Sequence, residues 1–282
     1  MGDLIVVAYL DRGRDYVYSN GTLWERALFG HLFDGRSVDH LYACLLAYKN
    51  PDGGYGHGLE RDLSCPDSNP LQLEFLLRVL ADYGLPPGSL LDGAAAWVEQ
   101  LREDDGSLRN PSTLFDYPHA PWWKDMGGQR GPASITGNLL RLARCTPSLA
   151  ASTEQWVRQN LMPEQILDEQ WLFMLYHAYD FYWHAPESDV VREGRAAVER
   201  RVAELALAAP ERQWYALLTF APGPGQGMTA YLPAKLLDRT LEYLEATQRD
   251  DGGWDDEHGL AGWQPYVTTQ VLWVLHNHGR LG

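Results

Sequence analysis

Apolar positions recur along most of this chain at helical spacing, and that spacing predicts paired helices separated by sharp polar turns. The last part is the plainest. The stretch LLDRTLEYLEATQ, ending at Gln248, has apolar residues at helix period, and Asp250-Asp251-Gly252-Gly253-Trp254 then breaks it. Pro265 opens VTTQVLWVLHNHG, in which Val267, Val271, Val274 and His278 share one face and Gly279 is a stop. The layout occurs twice more. HLYACLLAYKNPDGGYG passes through Asp52-Gly53-Gly54-Tyr55 to Pro70 and LQLEFLLRVLADYG, closed by Gly84. GAAAWVEQLREDDGSL passes through Asp105-Gly106-Ser107-Leu108 and a long loop to Pro132 and ASITGNLLRLARC. Glycine allows the positive φ that a sharp reversal needs, aspartate caps the turn, and proline in the first turn of the next helix sacrifices no hydrogen bond. A helix pair of this kind cannot bury its faces alone, so several must stack.

Further helices are predicted over Leu23–Phe33, Thr153–Asn160, Glu164–His184, Glu187–Ala208 and Arg212–Phe220, giving roughly a dozen in all. Strand signals are weak. The Pro/Gly stretch Ala221-Pro222-Gly223-Pro224-Gly225-Gln226-Gly227 reads as a surface loop because the last repeat follows at once, so residues 1–282 are taken as one domain.

Composition narrows the function classes. A formal net charge of -15 disfavours nucleic acid as a partner. No run approaches the roughly 20 apolar residues of a membrane helix, and Met1–Leu10 is too short and too acidic for a leader, so no integral membrane association and a soluble, cytoplasmic protein are expected. Cys44, Cys65 and Cys145 are odd in number and lack CxxC spacing, which fits a reducing compartment. The aromatic content, 11 Trp and 15 Tyr against 7 Phe, fits either large core side chains or an aromatic-walled cavity. Nothing marks an oligomeric state.

Gln248 to Trp254 is a complete QxxxGxW motif, and Lys49-x-x-x-Gly53-x-Tyr55 and Arg102-x-x-x-Gly106-x-Leu108 are degenerate versions of it. With these repeats the chain resembles the prenyltransferase and squalene oxidase repeat group, which holds squalene–hopene cyclases and protein prenyltransferase β subunits. It is also similar to small bacterial repeat proteins carrying GHGLE-type and HAPWW loops. The resemblance implies an all-α fold, an α/α toroid of about six helix pairs in inner and outer rings around a central cavity. It further implies a terpene-cyclase-like enzyme acting on an apolar, isoprenoid-type small molecule. The DxDD and DDxxD acid motifs of that group are absent. Two alternatives stay open: a carbohydrate-active enzyme (glycosidase or lyase), because paired-helix toroids also serve those reactions, and a non-catalytic module that binds a lipid or a partner.

Three segments carry candidate chemistry. In Gly56-His57-Gly58-Leu59-Glu60-Arg61-Asp62-Leu63-Ser64-Cys65-Pro66-Asp67-Ser68 a histidine lies near several carboxylates, the ingredients of acid–base work. His57, Glu60 and Asp62 are the catalytic candidates there, and Asp67 either contacts substrate or, with Ser68, caps the following helix. No cofactor motif is present; zinc on His57, Asp62 and Cys65, or magnesium, is the open alternative. The second segment runs from Phe115 to Lys124. His119 is its acid–base candidate, and Tyr117, Trp122 and Trp123 either close a lid over a pocket or pack a small core of their own. The third, DEQWLFMLYHAYDFYWH, is apolar almost all round and predicts a buried helix, with Trp171 and His177 against substrate and His177 beside Asp180. Tyr55 and Trp254, after their turns, complete the binding set. The acidic run Asp250–His258 reads as a solvated loop.

Overall fold

The computed structural model describes residues 2–281, with side chains from residue 9 onward. Met1, at the head of the stretch read as lacking a leader, lies outside the described residues. The chain is all-α. Its helices are α1 (Gly2–Asn20), α2 (Leu23–Phe33), α3 (Val38–Leu46), α4 (Pro70–Asp82), α5 (Ala94–Leu101), α6 (Pro121–Met126), α7 (Ala133–Arg141), α8 (Pro147–Asn160), α9 (Pro163–Asp168), α10 (Tyr176–His184), α11 (Asp189–Ala208), α12 (Leu217–Phe220), α13 (Ala234–Ala246) and α14 (Gln264–Asn277). Among the described residues pairing of the β type is confined to isolated bridges, at Lys49–Tyr55, Leu63–His119 and Arg102–Leu108. No helix among them is long and apolar enough to cross a membrane. The cysteines form no disulfide.

The three Asp-Gly turns have one geometry. Gly53, Gly106 and Gly252 stand at φ 92°, 82° and 91°. Asp52 Oδ1 accepts from Gly54 N at 2.9 Å, Asp105 Oδ1 from Ser107 N at 2.9 Å, and Asp251 Oδ1 from Gly253 N at 3.0 Å. Each loop is closed by a backbone bond that returns from the third residue before the glycine: Asn50 N to Gly54 O at 2.9 Å, Glu103 N to Ser107 O at 2.8 Å, Arg249 N to Gly253 O at 2.9 Å. The residue that follows, Tyr55, Leu108 or Trp254, is wholly buried. Burying a large side chain of this kind is worth roughly 2–3 kcal/mol, which anchors the turn to the core.

Two compact units result. One comprises Met1–Cys44, Trp171–Phe173 and Val202–Gly282. Here α1 packs on α2 and α14, and α12 on α14, around Val17, Phe29, Leu244, Trp254, Val271 and Leu275. The face expected on α14 is the buried one, with Val267, Val271 and Val274 inside; His278 bonds Ala221 O at 3.0 Å. Helix α1 was not expected from the sequence. Gly13 interrupts its apolar pattern, yet a Cβ there would lie 2.6 Å from Leu272 Cδ1, so the glycine is what lets α1 approach α14.

The other unit comprises Leu45–Gln170 and Met174–Arg201. Helix α7 packs against α4, α8 and α10. Helix α4 starts on Asn69, whose Oδ1 accepts from Gln72 N at 3.3 Å, so the cap is Asn69 rather than the expected Asp67 or Ser68. The helix expected from Glu164 to His184 is broken. Around the Asp168-Glu169-Gln170 run, Glu169 Oε1 accepts from Gln170 N at 2.7 Å and Gln170 Nε2 donates to Asp168 O at 2.6 Å. Polar side chains that bond their own backbone compete with the helix, and α10 begins only at Tyr176. Trp171 therefore lies outside any buried helix and is 64% exposed.

The α7–α10 contact is the closest in the second unit. A Cβ on Gly137 would fall 2.0 Å from the Asp180 carbonyl oxygen. Backbone cannot yield as a flexible side chain does, so Gly137→Ala is expected to cost about 3 kcal/mol or more, read as a lower urea midpoint at unchanged m-value. A midpoint within error of the parent would show that the two helices do not meet as described.

Candidate functional site

The two loops singled out by sequence lie against each other in the second unit. Gln72, wholly buried on α4, staples the first: its Oε1 accepts from Glu60 N at 2.7 Å, and its Nε2 donates to Glu60 O at 3.0 Å and Leu63 O at 2.8 Å. The second loop pairs with the first through Ser64 N to Pro118 O at 2.9 Å and Ala120 N to Asp62 O at 2.7 Å. Phe115 and Trp123 pack on Leu63, Cys65, Leu71 and Leu114, so this segment does build a small core. Its other face holds Tyr117, Trp122 and Met126, which are exposed.

Of the expected catalytic residues, Glu60 and Asp62 are bonded to each other, while His57 and His119 each hold a different group. His57 is exposed, sits at φ 62°, and holds Asn50 Oδ1 with Nε2 at 3.0 Å. Glu60 is buried and its Oε2 accepts from Asp62 N at 3.0 Å. Burial first, then the nearby Asp62 and Glu74 charges, push the Glu60 carboxyl well above its usual range, against the Asp62 N–H. Asp62 is half-buried. His119 Nδ1 meets Tyr117 O at 2.7 Å, and its ring meets Phe115 edge-on at 5.1 Å. Among the described residues no group of three or more His, Cys, Asp or Glu is placed to hold a metal ion, so the alternative of zinc on His57, Asp62 and Cys65 finds no ligand set here. Two of the expected binding aromatics spend their polar atoms inside the core. Tyr55 Oη donates to Leu90 O at 2.7 Å and Trp254 Nε1 to Leu244 O at 2.7 Å.

A buried polar cluster lies between α4, α7 and α10. Gln129 Nε2 donates to Glu74 Oε1 at 2.8 Å and Oε2 at 2.7 Å, and meets His177 Nε2 at 2.8 Å. Tyr176 Oη donates to Glu74 Oε2 at 3.3 Å, and the Arg78 guanidinium lies 4.3 Å above the Tyr176 ring. Asp180 accepts from Ser134 Oγ at 2.6 Å and has Arg78 Nε at 4.0 Å. His177 and Asp180, expected as neighbours, thus face different partners on one helix. Sequence reasoning passed over Glu74 and Arg78. Their signal was two charges one helical turn apart in the apolar run LQLEFLLRVLAD, a pattern that means burial with partners.

The same unit carries an open groove of about 510 Å³ beside the first Asp-Gly turn, reached by residues that flank the second. It is lined by Asn50, Pro51, Asp52, Asp67 and Ser68 together with Trp97, Leu101, Arg109, Asn110 and Pro111. Asp52 is fully engaged: besides Gly54 N, it accepts from Ser68 Oγ at 2.8 Å and Trp97 Nε1 at 3.2 Å. Asp67 Oδ2 accepts from Thr113 Oγ1 at 2.5 Å. Arg109 is loosely held, 3.6 Å from Glu103 Oε1. Of the residues expected from sequence, Asp67 lines this groove, and His57 reaches it through Asn50. Comparison of the chain with protein-family models, with curated proteins and with solved structures finds no match in any of the three.

Burial raises the Asp180 carboxyl from 3.8 to about 7, against the pull of Arg78 and the Ser134 hydroxyl. Between those two values the folded state holds a proton that the unfolded state has released, so this group's contribution to stability is lost as pH rises through the window. The expected outcome is a melting temperature that falls less between about pH 5 and pH 8 in Asp180→Asn than in the parent. Parallel profiles would remove Asp180 as a protonated buried acid.

Proposed function

We propose that the protein binds a hydroxyl-rich small molecule of the saccharide class in the groove lined by Asn50, Asp67, Trp97 and Asn110. The lining carries this reading. Carboxylate, amide, hydroxyl and guanidinium groups surround about 510 Å³, within the roughly 300–1,000 Å³ of small-ligand sites. An isoprenoid, the first expectation from the repeat resemblance, needs a continuous apolar wall, and here Pro51, Leu101, Pro111 and the mostly buried Trp97 share the lining with Asp67, Ser68, Arg109 and Asn110, the mixed surface a sugar presents. Asp67 is the carboxylate available to a ligand, because Asp52 is spent on Gly54, Ser68 and Trp97. Asp67 is therefore the group that would orient hydroxyls and serve as acid or base if the bound sugar reacts.

The repeat reading belongs to the same proposal. Three turns of one geometry, at matching places in the QxxxGxW-like repeats, support an α/α toroid related to the prenyltransferase and squalene oxidase repeat group. In this reading the repeats build the frame and the loops between them carry the function.

The test is calorimetric titration with maltohexaose, cellohexaose, polygalacturonate and farnesol. At least one saccharide is expected to bind, and Asp67→Ala is expected to weaken it about tenfold or more, the worth of one charge-assisted hydrogen bond. Binding of farnesol alone, or of none of the four, would overturn the reading.

A further inference from the structure

We propose that Gln129 is a positioning residue for the groove, and that the His177 ring decides whether it holds. The inference rests on the groove as the binding site, and links it to the buried cluster through one short segment of the chain. Asn110, a groove residue, donates its Nδ2 to Gly127 O and to Gln129 O, both at 3.2 Å. The fit is close: Gly128 stands at φ 78°, and a Cβ on it would lie 2.7 Å from Asn110 Nδ2. The place of Asn110 therefore depends on where residues 127–129 lie. What fixes that segment from the other side is the Gln129 side chain, driven into the cluster of Glu74 and His177.

The chemistry of that peg is specific. The Glu74 carboxylate can only accept, so the Gln129 end facing it is the NH2. Its two hydrogens serve three acceptors, the two Glu74 oxygens and His177 Nε2. His177 Nδ1 meets Met174 O at 3.2 Å, a carbonyl, so Nδ1 carries the hydrogen and Nε2 offers the lone pair. The contact with Gln129 exists only while the ring is neutral. A proton on Nε2 sets donor against donor and turns the ring toward Glu74 Oε1, now 3.7 Å away, which takes the carboxylate from Gln129.

The surroundings set the pH at which this happens. From α4, Glu74 and Arg78 face the ring, and Glu169 approaches from the segment after α9. Tyr176, stacked at 3.9 Å, and Asp180 are the titratable neighbours on α10 itself; α7 contributes the uncharged Ser134, which faces Asp180. Desolvation is the largest influence and lowers the His177 pKa below 6.5; Arg78 adds to it, and Glu74, the Met174 carbonyl and Glu169 oppose it. The ring is thus neutral and the peg in place at neutral pH, and both are lost on acidification.

Hydrogen–deuterium exchange on the ligand-free protein tests the coupling, with intrinsic rates corrected for pH. Amides 127–130, and that of Leu108, which donates to Arg130 O at 2.8 Å, are expected to lose about tenfold in protection between about pH 7.5 and an acid pH below the ordinary histidine range, chosen where the α14 amides still keep their protection. In His177→Gln, a side chain that accepts without titrating, this loss is expected to vanish. In Gln129→Ala, protection is expected to be low at both pH values while the α14 amides keep theirs. A profile unchanged with pH in the parent, or one that persists in His177→Gln, overturns the inference; if His177→Gln does not fold, the parent and Gln129→Ala profiles decide alone. Because no saccharide is used, this outcome is separate from the calorimetric one: exchange that follows His177 without sugar binding would sink the binding reading and leave the coupling, and the reverse result would do the opposite.

Discussion

Everything in this fold turns on one local interaction, an aspartate carboxylate that caps the amide two residues ahead while the glycine between them takes positive φ. The three instances at Asp52, Asp105 and Asp251 agree to within about 0.1 Å in the capping bond. An L-residue at the glycine would be strained there, and at Gly252 it would also meet the Arg12 carbonyl oxygen at 2.2 Å. The reversal is therefore specified by local interactions. It delivers the next side chain, Tyr55, Leu108 or Trp254, straight into the interior. The isolated bridges at Lys49–Tyr55 and Arg102–Leu108 are the backbone trace of this device. At Gln248 the side chain takes over, donating to Gly252 O and Tyr9 O, both at 2.9 Å.

Where the turns deliver apolar residues, the α4–α7–α10 junction holds polar ones. Glu74, Asp180 and Gln129 are nearly or wholly out of water and each finds a partner. Such a network rarely adds stability over an apolar core of the same volume, because desolvation offsets the attraction. What it does impose is a unique arrangement: Gly137 brings α7 against the α10 backbone, Ser134 then meets Asp180, and Gln129 meets Glu74. Removing any one member leaves a buried charge or donor unmatched.

The sequence carries the turns but only His177 and Asp180 of the cluster, and the reason is the range of the interactions involved. Asp-Gly-Gly-aromatic strings are local, so Gly53, Gly106 and Gly252 were assigned correctly, as were Leu23–Phe33 and the buried face of α14. Helix α1 is not among the elements the pattern predicts, and its Gly13 packs against Leu272, a partner far along the chain. The apolar pattern predicts a helix continuous through Trp171, and the side-chain-to-backbone bonds of Glu169 and Gln170, which that pattern does not contain, end it. The two chemistry-bearing loops were legible from their odd composition, and they do meet at Leu63 and His119. Their roles were not legible. Glu60 is held by Gln72, twelve positions on, and the groove draws Asn50, Asp67, Trp97 and Asn110 together from across sixty residues.

The side chains that build the Asp-Gly turns are not free to serve a ligand, since each is spent on holding its own turn. Asp52 illustrates the constraint: a carboxylate at the rim of a groove, yet committed on both oxygens to the turn that created the rim. Groups able to meet a ligand must come from residues the turn does not need. In this chain those are Asp67, past the first stapled loop, and Arg109 and Asn110, at the start of the insertion in the second repeat. The insertion departs from the groove at one end and plugs the buried cluster with Gln129 at the other. A loop anchored in this way has its position set by the chemistry of a core it does not otherwise join, and a change of one proton at His177 is large enough, on the scale of the hydrogen bonds that hold it, to move that position.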